Sequence, residues 1–224
     1  MKILYIDSFV VVCSKPAGVL SEGEGSDCLP YMLRQELRER GENNTEVYAV
    51  HRLDRETVGV IVYARTPDSA AFLSAEISSG NFCKQYLAVL CGVPNEKQGT
   101  LCDLLFYDRS KSKSFAVDRA RKGVKKAILD YTLIQTVQEH SLVLVTLGTG
   151  RTHQIRVQFA SRGLPLTGDR RYGAPKDEVN SVALCARKLS FTHPETKERM
   201  TFYAEIPNEL PWSLFSSNYL TMPF

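Results

Sequence analysis

The stretch His51-Arg52-Leu53-Asp54-Arg55-Glu56-Thr57-Val58-Gly59 decides how this chain is read. It sets one acid between two arginines, directly ahead of the apolar run Val58-Gly59-Val60-Ile61-Val62-Tyr63. Guanidinium neighbours favour the charged form of a carboxylate. An acid kept ionised is a poor proton donor near neutral pH and is suited to act as a nucleophile or base. A second basic segment, Gly150-Arg151-Thr152-His153-Gln154-Ile155-Arg156, lies far along the chain. Two such segments point to an anionic substrate held or attacked by one acid.

The remaining composition narrows the setting. A length of 224 residues fits one large domain or two small ones, and 43% hydrophobic residues support a substantial core. The net charge is +3, but Asp108 to Lys126 holds eight Lys or Arg against two Asp, leaving the remainder of the chain negative. A basic segment on a near-neutral body suits a phosphate-bearing partner. A solvated loop with scattered lysines accounts for the segment equally well. Cys13, Cys28, Cys83, Cys91, Cys102 and Cys185 form no C-x-x-C pair and no zinc spacing, so buried free thiols in a reducing compartment are expected. The opening run Met1 to Asp7 is too soon interrupted for a signal peptide, and no apolar run reaches membrane-spanning length. A soluble cytoplasmic protein is the expectation.

Short β-branched runs predict strands at Ile3–Ile6, Phe9–Cys13, Val47–Val50, Val58–Tyr63, Lys84–Leu90, Ala127–Val137, Leu142–Leu147, Leu184–Phe191 and Met200–Ala204. Helical spacing covers Leu29–Arg40 and Thr152–Arg162. Thr66-Pro67-Asp68 reads as a helix start, with the helix running to about Ser79 and Gly80 beyond its end. On the helix over 152–162, Ile155 and Phe159 would face the core, while His153 and Arg156, three apart, would share another face. Gly92 to Lys126 reads as a long polar excursion, functional or mobile, with a hairpin extension as the alternative. Strands dominate without regular strand–helix alternation, which favours an α+β fold with a mostly antiparallel or mixed sheet.

Five segments together resemble the RluA-type pseudouridine synthases. His51-Arg-Leu-Asp-Arg-Glu-Thr57 with Gly59 is similar to that family's H-R-L-D-x-x-T-S-G signature, with Val58 where the family usually has Ser. Gly150 to Arg156 matches G-R-T-H-Q-I-R, and Gly168-Asp-Arg-Arg-Tyr-Gly173 matches G-D-x-x-Y-G. Lys15-Pro-Ala-Gly18 matches the family's early turn, and Lys84 to Val89 resembles its K-x-Y-x-A-x-V strand. The resemblance implies a pseudouridine synthase fold: one catalytic domain over 1–224, a long sheet in two halves flanked by helices, and a catalytic cleft between them. No room remains ahead of Lys15 for the small S4-type domain of many members, so RNA affinity is expected from the catalytic domain itself.

The implied reaction turns uridine in structured RNA, tRNA or rRNA, into pseudouridine. The bond from ribose C1′ to N1 of uracil breaks, the base turns, and C5 bonds to C1′. There is no redox change or hydrolysis, so neither cofactor nor metal is required. The resemblance makes Asp54 the catalytic acid, attacking C1′ or abstracting a ribose proton, and Arg156 its charge partner. Tyr86 stacks on the flipped uracil, and Arg52 fills the space the base leaves. His51, Arg151, His153, Lys122 and Lys125 are expected to serve substrate binding, and the protein is expected to be a monomer. Read one at a time, these residues have plainer explanations: Asp54 as a turn former, Tyr86 as a core aromatic, Arg52 as a surface cation, Arg156 as a helix contact. A catalytically silent RNA-binding module and a hydrolase that releases uracil are the competing functions.

Overall fold

The computed structural model describes residues 1–176, 179 and 181–218. They form an α+β fold of eleven strands and three α-helices. The chain divides into two compact units, Met1–Lys84 with Ala186–Glu205 and Gln85–Cys185 with Ile206–Phe224.

In the first unit the strands are β1 (Lys2–Ile6), β2 (Val10–Lys15), β3 (Tyr48–Ala49) and β4 (Val58–Ala64), with most of β10 (Leu184–Thr192) and β11 (Arg199–Tyr203). Their order is β1-β2-β4-β10, with β3 paired to β4 and β11 to β10. The ladders β1–β2, β2–β4, β3–β4 and β10–β11 all run antiparallel. Strands β2 and β4 are buried almost throughout, which is why each is a continuous apolar run and not an alternating one. Helix α1 (Leu29–Glu39) buries Leu29, Leu33 and Leu37, a four-residue spacing that keeps one face inward. Helix α2 (Pro67–Ser79) begins as its sequence predicts: the Thr66 side chain accepts from the Ser69 amide, and Gly80 closes it at φ 82°.

In the second unit the order is β5-β9-β8-β6-β7, comprising most of β5 (Cys83–Cys91), with β6 (Gln98–Asp108), β7 (Lys113–Val117), β8 (Val124–Val137) and β9 (His140–Leu147). All four ladders are antiparallel. The polar excursion of Gly92 to Lys126 is therefore the hairpin alternative: β6 and β7 pair through Leu104–Asp108 and Lys113–Val117, and β6 also pairs with β8. Its apolar pattern is thin because Leu101 and Leu105 are the buried hydrophobics of β6, and the backbone ladder carries the rest. Helix α3 (Gln154–Ala160) is shorter than its sequence pattern predicts, because His153 adopts a left-handed φ of 54° and stands outside it as the N-cap. Ile155 and Phe159 are buried as expected. Leu105, Ala127, Val157 and Tyr172 form one apolar cluster that seats α3 on β6 and β8. Of the six free thiols, Cys13, Cys28 and Cys185 are buried, but Cys83 and Cys91 are only partly buried and Cys102 is exposed, so full burial fails for these three. Among the described residues, no helix is long and apolar enough to cross a membrane.

Gly59, at the end of the acidic motif, has φ 120°, and a Cβ there would lie 2.3 Å from the Ala186 carbonyl oxygen. The β4 backbone thus approaches β10 too closely for any side chain. Gly59→Ala should destabilise the protein by about 3 kcal/mol or more, measured as unfolding free energy in urea. A loss below about 0.5 kcal/mol would show that this close approach does not exist.

Candidate active site

The acidic motif sits on a turn pinned from outside. The Thr57 amide donates to the Asp54 carbonyl at 3.0 Å, so Asp54 opens a β-turn leading into β4. The residues on both sides of Asp54 are tied to the segment that follows β2. The Leu53 amide donates to Ser21 Oγ (3.1 Å), and Ser21 Oγ returns a bond to the Leu53 carbonyl (2.8 Å). The Ser21 carbonyl in turn accepts from the buried Tyr63 hydroxyl at 2.6 Å. The Arg55 carbonyl accepts from the Gly18 amide at 2.9 Å and from Lys15 Nζ at 2.8 Å.

Lys15 is buried, at 1% exposure. Its ammonium also donates to the carbonyls of Pro16 (2.8 Å) and Val19 (2.7 Å), so all three of its protons are taken. Burial pulls its pKa down to about 8, with the carboxylates of Glu56 and Asp54 acting the other way. Gly18, at φ 79°, supplies the left-handed residue that the Lys15-Pro-Ala-Gly18 turn needs. Residue spacing does not mark Lys15 and Ser21 as supports of the acid, because their partners are backbone atoms.

The arginines flanking Asp54 are exposed and paired with acids of one loop. Arg52 Nη1 lies 2.6 Å from Glu22 Oε1, and Arg55 Nη2 lies 3.6 Å from Asp27 Oδ2. Exposed pairs of this kind contribute little to stability. His51 is half-buried. Its Nε2 accepts from the Val62 amide of β4 at 3.2 Å, and its ring packs edge-on against Phe82. Burial, with Lys84 nearby, holds the imidazole neutral by pushing its pKa down to about 3.

In the second unit, Tyr86 lies on β5 opposite Val145 and is buried. Arg156, on α3, is buried at 5% exposure. Its Nε and Nη2 donate to Oδ2 (2.6 Å) and Oδ1 (2.8 Å) of Asp169, a two-pronged pair closed from solvent on both sides. Losing one partner of such a pair would cost several kcal/mol, because the other charge stays buried. The Arg156 guanidinium also lies 5.1 Å from the Tyr172 ring centre. Within Gly168 to Gly173, the acid Asp169 and the aromatic Tyr172 both contact Arg156. The turn before α3 is locked by Gln154, whose Oε1 accepts from Thr149 Oγ1 (2.7 Å) and the Arg151 amide (3.0 Å), while Nε2 donates to the Ile128 carbonyl (3.0 Å). Arg151 Nε donates to the Lys126 carbonyl, and His153 Nδ1 lies 2.9 Å from the Tyr172 hydroxyl. His153 and Arg156 do not share a helix face as their spacing predicts, because His153 lies outside the helix; they meet on different parts of Tyr172.

The basic segment is the outer edge of this unit. Lys122 occupies the turn before β8, and Lys125 and Lys126 stand on β8, all exposed. Arg121 lies over the Phe106 ring at 4.8 Å, and Lys111 and Lys113 flank Phe115 at 5.7 and 5.6 Å. Cations interleaved with rings give a surface suited to both phosphates and bases.

The family model described as RNA pseudouridylate synthase matches residues 9–161. The chain belongs to the RNA pseudouridine synthase family. The RNA pseudouridine synthase YhcT of Bacillus subtilis is 33% identical over 215 residues, covering 94% of this chain and 70% of that protein. Ribosomal large subunit pseudouridine synthase D of Neisseria meningitidis serogroup B is also 33% identical, over 225 residues, with 94% of this chain and 59% of that one covered. Human RNA pseudouridylate synthase domain containing 4 shares the fold, with a TM-score of 0.76 at 23% identity over 92% of this chain and 88% of its own. This synthase is therefore an isomerase that acts on RNA.

The neutral His51 makes the fold acid-sensitive. Its folded pKa is depressed from 6.5 to about 3, so its contribution is complete above about pH 6.5 and drains away as pH falls toward 3. At pH 5 the loss should be on the order of 2 kcal/mol. The parent's unfolding free energy should fall more steeply between pH 7.5 and 5 than that of His51→Gln, whose amide oxygen can still accept from Val62. Parallel pH curves for the two proteins would refute this.

Proposed function

We propose that this synthase uses Asp54 as the catalytic acid at ribose C1′, with Arg156 as its charge partner. In this reading Tyr86 stacks on the flipped uracil, and Arg52 leaves Glu22 to fill the gap in the RNA. The observation that carries the proposal is the tethering of the backbone on both sides of Asp54, through Ser21 to Leu53 and through Lys15 and Gly18 to Arg55. A carboxylate must meet C1′ in a defined attack geometry, and a pinned turn provides that at no further entropic cost. His51, Arg151 and His153 support the two motifs through backbone and ring contacts, and Lys122 and Lys125 meet the RNA backbone. The whole chain acts as one catalytic domain, a cytoplasmic monomer, on a structured rRNA or tRNA. The name of the Neisseria relative makes large-subunit rRNA the first substrate to try.

Asp54→Asn keeps the shape of the turn and removes the charge. It should leave RNA affinity intact and lower pseudouridine formation by roughly a thousandfold or more, read by carbodiimide primer extension on a modified transcript. The product RNA should keep its mass, since isomerisation releases no uracil. An active Asp54→Asn protein would end this assignment.

For the basic edge, Lys122→Glu, Lys125→Glu and Lys126→Glu combined should weaken RNA binding. The slope of log K against log salt should become shallower by up to about three, one unit for each phosphate no longer neutralised. An unchanged slope would place the RNA elsewhere.

A further inference from the structure

We propose that Tyr172 is a positioning residue: it ties the basic β6–β7 hairpin to the turn that leads into the helix bearing Arg156, so that RNA held on the hairpin and the Arg156 guanidinium keep one fixed relation. The inference rests on the role proposed above for Arg156.

Tyr172 is 9% exposed and stands in a 3-10 turn, Arg170–Tyr172. Its ring and its hydroxyl face different neighbours. The hydroxyl accepts from the Ser114 amide at 2.8 Å, lies 3.2 Å from the Ser114 carbonyl, and lies 2.9 Å from His153 Nδ1. The ring carries the Arg156 guanidinium at 5.1 Å and Lys113 Nζ at 4.8 Å.

Ser114, on β7, is buried, and its Oγ donates to the Thr152 carbonyl at 2.6 Å, one residue before His153. Two further bonds join the same parts: Lys113 Nζ to the Arg171 carbonyl (2.6 Å) and Arg171 Nη1 to the Ser112 carbonyl (2.7 Å). Strand β7, paired among the described residues only to β6, thus gains side-chain bonds both to the motif that bears Arg156 and to the motif that grips it.

His153 holds a left-handed backbone, a conformation that persists in a non-glycine residue only where the surroundings over-determine it. Tyr172 is one of those surroundings. Any shift of the hairpin is passed through Ser114 and Tyr172 to the start of a seven-residue helix whose third residue is Arg156.

Tyr172→Phe removes the hydroxyl and keeps the ring beneath Arg156. Its single-turnover rate at saturating RNA should fall roughly ten- to a hundredfold, as expected for a displaced reacting group. The probe is an rRNA or tRNA transcript that the parent modifies, and its Kd and the salt slope of binding should match the parent's. A lower melting temperature with a parental single-turnover rate below the transition would overturn the proposal, and so would weaker binding with an unchanged rate at saturation. If Tyr172→Phe does not fold, Ser114→Ala removes only the bond to the Thr152 carbonyl and should show the same split at a severalfold reduction; a parental rate there counts against the proposal. Asp54→Asn separates the two levels. An active Asp54→Asn removes the underlying reading, whereas an inactive Asp54→Asn beside a Tyr172→Phe of parental rate removes this inference alone.

Discussion

The ammonium of Lys15, closed in by the carbonyls of Pro16, Val19 and Arg55, is the constraint on which the Asp54 motif depends. A buried charge is tolerated only when each of its protons has an acceptor, since an unsatisfied ionised group costs far more than a neutral one. Three carbonyls from two separate segments must therefore converge on one nitrogen. That requirement fixes the turn after β2 against the turn before β4. Ser21 repeats the constraint on the other side of Asp54, giving to and taking from Leu53 with one hydroxyl. Asp54 is thus held through its backbone neighbours on both sides.

The second unit obeys the same rule with different chemistry. A helix of seven residues is too short to persist by its own hydrogen bonds. What holds α3 is the apolar cluster beneath it, the Gln154 amide that closes the turn before it, and the Arg156–Asp169 pair. Asp169 uses both oxygens on two of the guanidinium's nitrogens, so the arginine cannot swing without leaving a charge buried and unmatched. Asp169 grips Arg156 from its edge and Tyr172 from its face, which explains why an acid and an aromatic stand three residues apart there.

Much of the architecture is legible in the sequence because its causes are local. The start of α2 can be read from Thr66 and Pro67, its end from Gly80, and the strand β4 from an unbroken apolar run. Strands β6 and β7 are not legible as strands: their few buried side chains leave no period-two alternation, and their existence depends on backbone ladders, to β8 and to each other. The helical spacing of 152–162 overruns the true α3, because nothing in the periodicity signals the left-handed His153. Lys15, a cation in a turn, has the residue type of a surface position, yet it is among the most buried side chains of the chain.

The sequence alone pointed to the chemistry, because five segments in order resemble the motifs of one family, whose model matches residues 9–161. It also settled the α+β class, since periodicity and punctuation record which faces meet solvent. Tertiary structure alone decided what holds those motifs in place: Lys15 and Ser21 around Asp54, Asp169 and Tyr172 around Arg156, and the ordering of the basic segment as a hairpin. Several of these contacts join side chains to carbonyls of other segments, and a hydrogen-bond acceptor that every residue possesses leaves no mark in a string of residue types.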